Sequence, residues 1–197
     1  GQGKPPIEPG KTDADILWKY DMMDELGVFP HNASNCSIVA LGDTLFVCTS
    51  NGQDWTHVNI PSPLSPSFIA LDKKTGEFVG EDDAKIGPNI KHGQWTSPSR
   101  GKVNGKDQVY FGGGDGILYA LEAPDGKEKW RYKTDDKILG GANYTKNPTG
   151  PGHWLLVGSY DSSLHCVDAT TGQVVWTHAT DNYINGTPVV TPDGEII

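Results

Sequence analysis

Cysteines and long apolar runs are both scarce in this chain of 197 residues, and each shortage excludes a class of protein. The cysteines, Cys36, Cys48 and Cys166, form no C-x-x-C, C-x-x-C-H or adjacent pair, so zinc ribbons, thioredoxin-type sites and c-type haem have no support. Cys36 and Cys48 flank a turn one residue out of register, which favours small buried thiols over a disulfide. No apolar run approaches the length of a membrane-spanning helix, and no membrane span is predicted.

Basic residues are also in the minority. The 16 Lys and Arg residues stand against 25 Asp and Glu residues, which gives a formal net charge of −9. Such a surface repels phosphate backbones and anionic lipids, and the basic residues are scattered along the chain rather than clustered. Nucleic acid is therefore excluded as a predicted partner.

Helical periodicity is a further absence, because no stretch keeps apolar residues at positions i, i+3, i+4 and i+7. Short runs rich in Val, Ile, Tyr and Phe alternate instead with clusters of Gly, Asn, Asp and Pro. This alternation is typical of an all-β protein with many tight turns.

One phrase recurs three times, as IALDKKTGEFV, ALEAPDGKEKW and CVDATTGQVVW. Its glycines, Gly76, Gly126 and Gly172, are 50 and 46 residues apart, a period that suits one four-stranded propeller blade. Several other predicted turns carry an Asn-Gly or Asp-Gly pair, at Asn51-Gly52, Asn104-Gly105 and Asp115-Gly116, and such pairs supply the positive φ that two-residue hairpins require. The sequence therefore predicts a β-propeller of four-stranded antiparallel blades, each blade packing on its neighbours.

The repeat also predicts the domain organisation. The predicted segments are a linker over 1–15 and a partial propeller over 16–197, with an outer strand at 16–22, blades at about 31–83, 87–136 and 138–181, and the start of a further blade at 184–197. Three explanations for the partial ring stay open. The chain is part of a longer one, which is favoured, or it is a shortened version, or two copies join head to tail and complete the ring.

The motif A-x-D-x-x-T-G-x-x-x-W, seen most fully around Asp168, Gly172 and Trp176, resembles the tryptophan-docking motif of the quinoprotein (PQQ-like) β-propeller superfamily. That superfamily contains PQQ-dependent alcohol dehydrogenases and the non-enzymatic assembly factor BamB. The stretches ILWKYDM, FPHNASNCS, HGQWTSP and DNYINGTP resemble planctomycete-type PQQ-like repeat proteins. The first repeat departs from the motif with Gly80 in the tryptophan position. The resemblance implies export to the periplasm or cell surface.

Candidate ligand-facing residues lie in the loops between blades and in one long insertion. They are His31, Asn32, Asn35, Asn89, His92, Gln94, Trp95, Asn143, Tyr144 and Asn185 in the inter-blade loops, with Trp55 and His57 in the insertion at 53–66. Amides, imidazoles and aromatic rings on one surface suit a polar ligand. The alternative, that these side chains satisfy backbone groups in turns, is favoured, because loop composition by itself is only a correlation with binding.

The sequence therefore predicts a non-catalytic binding or scaffold module for a protein, peptide or glycan partner, with no catalytic residues, no metal site and no cofactor. The alternative is a fragment of a PQQ-dependent dehydrogenase, which would bind PQQ with Ca²⁺. Neither a pair of adjacent cysteines nor a D-x-[DN]-x-[DN]-G calcium loop is present to support that alternative. The nucleophile pattern G-x-S-x-G is absent as well.

Overall fold

Three four-stranded antiparallel sheets account for most of the regular secondary structure in this computed structural model, which describes residues 11, 16–34 and 36–197. The strands are β1 (Val39–Leu41), β2 (Thr44–Cys48), β3 (Phe68–Asp72), β4 (Phe78–Glu81), β5 (Ser99–Val103), β6 (Lys106–Gly112), β7 (Ile117–Glu122), β8 (Glu128–Lys133), β9 (Asn143–Lys146), β10 (His153–Gly158), β11 (Ser163–Asp168) and β12 (Val174–Ala179). One short helix, α1 (Met22–Leu26), and a 3₁₀ turn, Gly87–Asn89, complete the regular elements of this described part. No helix in these ranges is both long and apolar enough to cross a membrane.

Each sheet is a meander in which every strand pairs with the next one along the chain. The orders are β1-β2-β3-β4, β5-β6-β7-β8 and β9-β10-β11-β12, here called blades 1, 2 and 3. The inner strands β1, β5 and β9 neighbour one another, so the three blades fan out from a common side. The predicted all-β propeller fold is confirmed, and the propeller is partial in this chain.

The tight turns follow from the residues that tolerate positive φ. Asn104 and Gly105 have φ of 50° and 79°, which gives the β5–β6 hairpin the geometry of a type I′ turn. Every blade also has a bulge where its third and fourth strands pair, because the fourth strand carries one extra residue. The extra residues are Val79, Lys129 and Val175. A bulge increases the local twist, and its repetition indicates that every blade uses the same device to turn toward its outer strand.

The repeated phrase forms the turn between the third and fourth strands. Oδ1 of Asp72 accepts hydrogen bonds from the backbone N–H groups of Lys74 and Thr75, at 2.7 and 2.8 Å. Oδ1 of Asp168 accepts the same pair of bonds in blade 3, both at 2.9 Å. These bonds hold the pKa of Asp72 below its ordinary value, because they favour the ionised carboxylate.

Blade 2 reaches the same turn with different residues. Glu122 takes the place of the aspartate, and its carboxylate accepts from Nζ of Lys129 at 2.8 Å and of Lys106 at 3.3 Å. Asp125 replaces the threonine and accepts the N–H of Lys127 at 3.0 Å, a bond made by threonine hydroxyls in blades 1 and 3. Glycine ends all three turns, with φ between 69° and 75°.

A tryptophan from the preceding segment lies on two of these turn glycines. Nε1 of Trp130 in blade 2 donates to the carbonyl of Ala169 in blade 3 at 3.1 Å, and the indole lies against Gly172. Nε1 of Trp18 donates to the carbonyl of Lys73 at the same distance, and its indole lies against Gly76. We call this arrangement, one indole on a turn glycine with its N–H bonded to the carbonyl three residues earlier, the indole clasp.

The core lies between blades because each sheet buries both faces. Phe111 of β6 stacks on Phe68 of blade 1 with ring centroids 4.1 Å apart. Tyr110, the preceding residue of β6, points to the other face and stacks on Tyr144 of blade 3 with ring centroids 5.6 Å apart. Successive side chains of a strand point to opposite faces, so β6 carries the packing on both sides.

The outer strand predicted over 16–22 does not form. Residues 16–21 have no strand assignment, and α1 begins at Met22, where Oδ1 of Asp21 accepts the N–H groups of Met23 and Asp24. A strand needs a neighbouring strand to complete its ladder, and within the described ranges this segment belongs to none of the three sheets. Trp18 nevertheless makes its clasp, because that contact needs only an extended chain next to the turn. The predicted linker lies outside the described residues apart from Lys11, and the other domain bounds remain predictions.

The joint between blades 1 and 2 lacks an indole clasp. Gly80 occupies the tryptophan position, nothing lies within 4 Å of a Cβ added at Gly126, and a cleft of about 230 Å³ opens between the two. Phe46, Phe68 and Leu121 line this cleft. Glycine in the tryptophan position therefore leaves an unfilled space at this joint, whereas the indole of Trp130 occupies the joint between blades 2 and 3.

We expect Gly80→Trp to raise the free energy of unfolding by about 1 kcal/mol, because cavity filling commonly gives gains of that size. A Cβ added at Gly80 meets nothing within 4 Å, so the new ring has room to reach the carbonyl of Ala123. Urea unfolding followed by circular dichroism measures the change. Val175→Trp, at an exposed position of blade 3, is the control and should leave stability unchanged. Equal or lower stability of Gly80→Trp would show that the cleft cannot hold an indole.

Candidate functional site

Three loop segments meet at one end of blades 1 and 2 and are tied together by their backbones. The segment at 29–31 bonds to 50–53, with Gly52 N–H donating to Phe29 O at 3.0 Å. The segment at 92–94 bonds to 50–53 from the other side, with Gln53 N–H donating to His92 O at 2.8 Å. Loops held by backbone hydrogen bonds on both sides keep their side chains in fixed positions.

Two glycines allow this close approach. A Cβ on Gly52 would lie 2.6 Å from the carbonyl oxygen of His92, and one on Gly93 would lie 2.8 Å from the ring of Trp95. No other residue fits at such distances without moving its neighbours. The sequence places these glycines in the loops because the backbones touch there.

Five of the predicted residues come together above these loops. The His–Trp cluster consists of His31, His57, His92, Trp55 and Trp95. The ring centroids of His31 lie 4.6 Å from His92, 4.8 Å from His57 and 5.5 Å from Trp95. Nε2 of His31 and Nε2 of His92 are 3.1 Å apart.

His31 is the buried centre of the cluster, with only 2% of its surface exposed. Its Nδ1 lies 2.7 Å from the carbonyl oxygen of Gln53. A carbonyl only accepts, so Nδ1 carries the proton in the neutral ring and Nε2 presents a lone pair to the other histidines. Nε1 of Trp95 donates to the carbonyl of His31 at 3.2 Å and fixes the backbone of the same residue.

His57 sits on the tip of the insertion, and Asp54 shapes that tip. Asp54 Oδ1 accepts from the backbone and hydroxyl of Thr56, and Oδ2 accepts from Nδ2 of Asn59 at 3.0 Å. These bonds, with the Thr56 hydroxyl the largest contributor, lower the pKa of Asp54 to about 2. His57 itself adopts φ of 58°, an uncommon conformation for a residue with a side chain.

His92 is held as the neutral imidazole. Burial is the largest cause, with the neighbouring His31, Lys137 and His57 also acting against a second positive charge, and together they lower its pKa to about 4. A neutral imidazole carries one proton and one lone pair, so one ring nitrogen of His92 is available as an acceptor or ligand at neutral pH.

An open cleft of about 340 Å³ adjoins the cluster and shares two residues with it. Its lining is His92, Trp95, Leu139, Tyr160 and Asn185. Tyr160 stacks on Tyr183 with centroids 4.3 Å apart, and Nζ of Lys137 lies 4.5 Å from its ring centroid. Loops of blades 2 and 3 and the segment after β12 thus contribute to one surface.

The remaining predicted residues, apart from Asn185 in the lining of the cleft, lie elsewhere. Gln94 is fully buried and bonds Gly112 O and Gly114 N–H, both at 2.8 Å, so it joins loops rather than facing a ligand. Tyr144 is wedged between blades 2 and 3, where its hydroxyl donates to Lys102 O at 2.8 Å. Asn143 donates to Pro188 O, exposed Asn89 donates to Lys85 O, and Asn32 is exposed with φ of 67°. Asn35 lies outside the described residues.

Sequence reasoning missed Leu139, Tyr160 and Lys137. Tyr160 belongs to the loop between the second and third strands of blade 3, a class of loop that often reaches the channel side of a propeller. The aromatic residue in that otherwise small-residue loop was the available signal. Leu139 and Lys137 carried none, because their position follows from how blade 3 packs on blade 2.

A buried Tyr132–His165–Asp161 chain has the residue types of a catalytic relay. Tyr132 Oη lies 2.9 Å from His165 Nδ1, and His165 Nε2 lies 3.1 Å from Asp161 Oδ2. Blade 2 has the same contact at the equivalent positions, where Tyr119 Oη donates to Asp115 at 2.7 Å. The recurrence favours a structural link that closes the turn between the second and third strands.

Comparisons with known proteins concern the family and the fold. The family described as outer membrane protein assembly factor BamB matches residues 114–196. The dehydrogenase subunit of the quinone alcohol dehydrogenase of Gluconacetobacter polyoxogenes is 30% identical over 131 residues, covering 64% of this chain and 17% of that protein. Its counterpart from Gluconobacter oxydans is 30% identical over 125 residues, covering 60% and 16%. The chain thus spans about a sixth of the length of these curated relatives.

Solved structures show the same fold. BamB from Moraxella catarrhalis aligns with a TM-score of 0.54 at 20% identity, covering 83% of this chain and 44% of that one. The quinohemoprotein alcohol dehydrogenase ADHIIG from Pseudomonas putida HK5 aligns with a TM-score of 0.59 at 19% identity, covering 93% and 34%. With three four-stranded blades and these matches, the resemblance to PQQ-like repeat proteins is confirmed, and the fold of the chain is a partial β-propeller.

Proposed function

We propose that this chain is a binding module that recognises a protein or peptide partner through the His–Trp cluster and the adjoining cleft. The observation that supports it is the convergence of loops from separate blades on one surface, fixed by backbone bonds. Trp55 is 71% exposed at the rim of that surface. Exposed aromatic rings held on a rigid frame are typical anchors of protein interfaces. The likeness in fold to BamB is consistent with a protein partner.

A peptide library and a glycan array, each incubated with the purified chain, test this proposal. We expect peptide binding that Trp55→Ala weakens at least about 10-fold, since loss of an aromatic anchor commonly removes more than 1 kcal/mol. Leu64→Ala is the matched control, because Leu64 is 91% exposed on the same insertion but outside the cluster. Binding to glycans alone, or peptide binding that Trp55→Ala leaves unchanged, would contradict a peptide site at this surface.

Quinone-dependent oxidation is the second candidate, and the curated relatives favour it. A calcium ion beside PQQ requires several oxygen ligands. The described residues that line the cleft include no carboxylate, and the nearby Asp161 is bonded to His165. The cleft therefore does not provide the oxygen ligands that PQQ with Ca²⁺ would require. Saturable binding of PQQ with Ca²⁺, followed by tryptophan fluorescence, would revive this candidate, and its absence would count against it for this chain.

Export is part of the same proposal, and completion of the ring by a second copy is the alternative to a longer chain. Export rests on the resemblance to the superfamily alone. Completion of the ring predicts a particle of twice the chain mass in solution, which light scattering measures directly.

A further inference from the structure

We propose that His31, His57 and His92 bind one divalent transition-metal ion of the Zn²⁺ class, with a coordination position left open toward the adjoining cleft. The proposal extends the binding function to a metal at the same loops. Metal uptake and partner binding are measured separately, so each can fail alone.

The distances suit such an ion. One nitrogen from each of the three histidines lies within 4.8 Å of the other two. Zn–N bonds of about 2.0–2.1 Å place two tetrahedral ligands about 3.3 Å apart. The 3.1 Å between Nε2 of His31 and Nε2 of His92 is close to that edge. His57 is exposed, and its ring can turn to close the remaining distance.

The surroundings of His31 are those of a metal ligand. A ligating histidine usually donates its other ring N–H to a carboxylate or backbone carbonyl, which orients the ring and sets its tautomer. The carbonyl of Gln53 fills this role at 2.7 Å from Nδ1. His31 is also buried beneath the other two rings, so its lone pair points into the group and not into solvent.

The three ligands come from three separate segments that are already tied together. His31 precedes β1, His57 lies in the insertion and His92 precedes β5, and backbone bonds join all three regions. Asp54 holds the insertion tip through Thr56 and Asn59. A site that needs little rearrangement loses little affinity to ordering of its loops.

The ligand chemistry selects the class of metal. Three neutral imidazoles suit Zn²⁺, Cu²⁺ or Ni²⁺, whereas Ca²⁺ and Mg²⁺ prefer oxygen ligands. Asp54 lies three residues before His57 in the insertion, but its carboxylate oxygens accept from Thr56 and Asn59. Three histidines with one open position are also the ligand set of a zinc ion that keeps an exchangeable water. The cleft beside His92 and Trp95 is where a fourth ligand would enter.

The test uses the full chain without an affinity tag, stripped with EDTA and dialysed against ZnCl₂. We expect one Zn²⁺ per chain by elemental analysis, and saturation at one equivalent by calorimetry. Co²⁺ in place of Zn²⁺ should give the visible absorption of a four-coordinate site. Thermal melting of the loaded chain should shift upward, because an ion that binds only the folded state stabilises it.

Two substitutions and one control assign the ligands. His57→Ala alters an exposed side chain and should weaken Zn²⁺ binding at least about 100-fold, since even loss of an outer-shell partner can cost that much. His92→Asn should do the same. His178→Ala removes another exposed histidine, on β12, and should leave binding unchanged. Circular dichroism of the metal-free variants establishes that they fold.

Each result decides for or against the site. One equivalent of Zn²⁺ that His57→Ala and His92→Asn weaken and His178→Ala does not supports it. Failure to take up Zn²⁺, Cu²⁺ or Ni²⁺ overturns it, as does binding that His57→Ala and His92→Asn leave unchanged. Zn²⁺ uptake by a chain that binds no peptide would support the metal site and contradict only the proposed partner function.

Discussion

Replacing Trp130 with alanine is expected to lower the free energy of unfolding by about 3 kcal/mol, the lower end of the range for large aromatic truncations. The indole is partly buried between blades 2 and 3, where it lies on Gly172 and 6.0 Å from the ring centroid of Tyr110. Its removal also leaves the Ala169 carbonyl without its Nε1 donor. For a chain of this length the loss corresponds to a fall in Tm of about 6–12 °C.

Thermal and urea unfolding of the parent and variant measure this effect. Trp55→Ala is the matched control, because it removes the same ring from a position that is 71% exposed, and it should change stability by less than about 0.5 kcal/mol. Trp130→Phe keeps a ring but not the N–H donor, and should lie between parent and alanine variant. A Tm for Trp130→Ala within one or two degrees of the parent value would show that the clasp contributes little.

Gly172→Ala should destabilise the chain far more than the same change at Gly126. Both glycines have positive φ, 73° and 69°, so each alanine incurs the steric penalty of that conformation, about 1 kcal/mol. At Gly172 the new Cβ would also lie 2.6 Å from Cδ2 of Trp130, whereas at Gly126 nothing lies within 4 Å. Displacing the indole adds part of the loss expected for Trp130→Ala, and the total should reach about 3 kcal/mol.

The pair of alanine variants separates backbone strain from ring contact, because the turn is the same and only the overlying indole differs. Urea midpoints of the two variants, compared with the parent, give the difference directly. In the background of Trp130→Ala, the Gly172→Ala penalty should fall to that of Gly126→Ala, since the ring is gone. Equal penalties at Gly172 and Gly126 in the parent chain would contradict the account.

The blades could be predicted from sequence because their determinants are local. The turn residues Asp168 and Gly172 act on neighbours two to four positions away, and alternating apolar residues mark the strands. The segment at 16–22 shows the limit of this reasoning. Its residues resemble an outer strand, but a strand also requires a partner, and no local pattern shows whether one is present.

The candidate site could be predicted only in part, because it depends on packing between distant segments. Histidine and tryptophan were unusual in loops and drew attention to His31, His57 and Trp95. The distances between these side chains cannot be predicted from the sequence, since His31 and His92 are 61 residues apart along the chain. Gln94 is a residue type that often binds ligands, yet its hydrogen bonds to Gly112 O and Gly114 N–H place it in the interior. Amide side chains serve both purposes, and only burial distinguishes them.

Both indole clasps run in the same direction along the chain, from Trp130 on the outer strand of blade 2 to the turn of blade 3, and from Trp18 before blade 1 to the turn of blade 1. The donor indole and the acceptor carbonyl therefore belong to different repeats. A segment one full repeat long can be duplicated or deleted without separating them, wherever in the repeat that segment begins. Recombination that inserts or removes a complete repeat matches every surviving indole with an acceptor. A junction that is out of phase, with the strand of one repeat fused to the wrong part of another, separates ring from glycine and disrupts the joint.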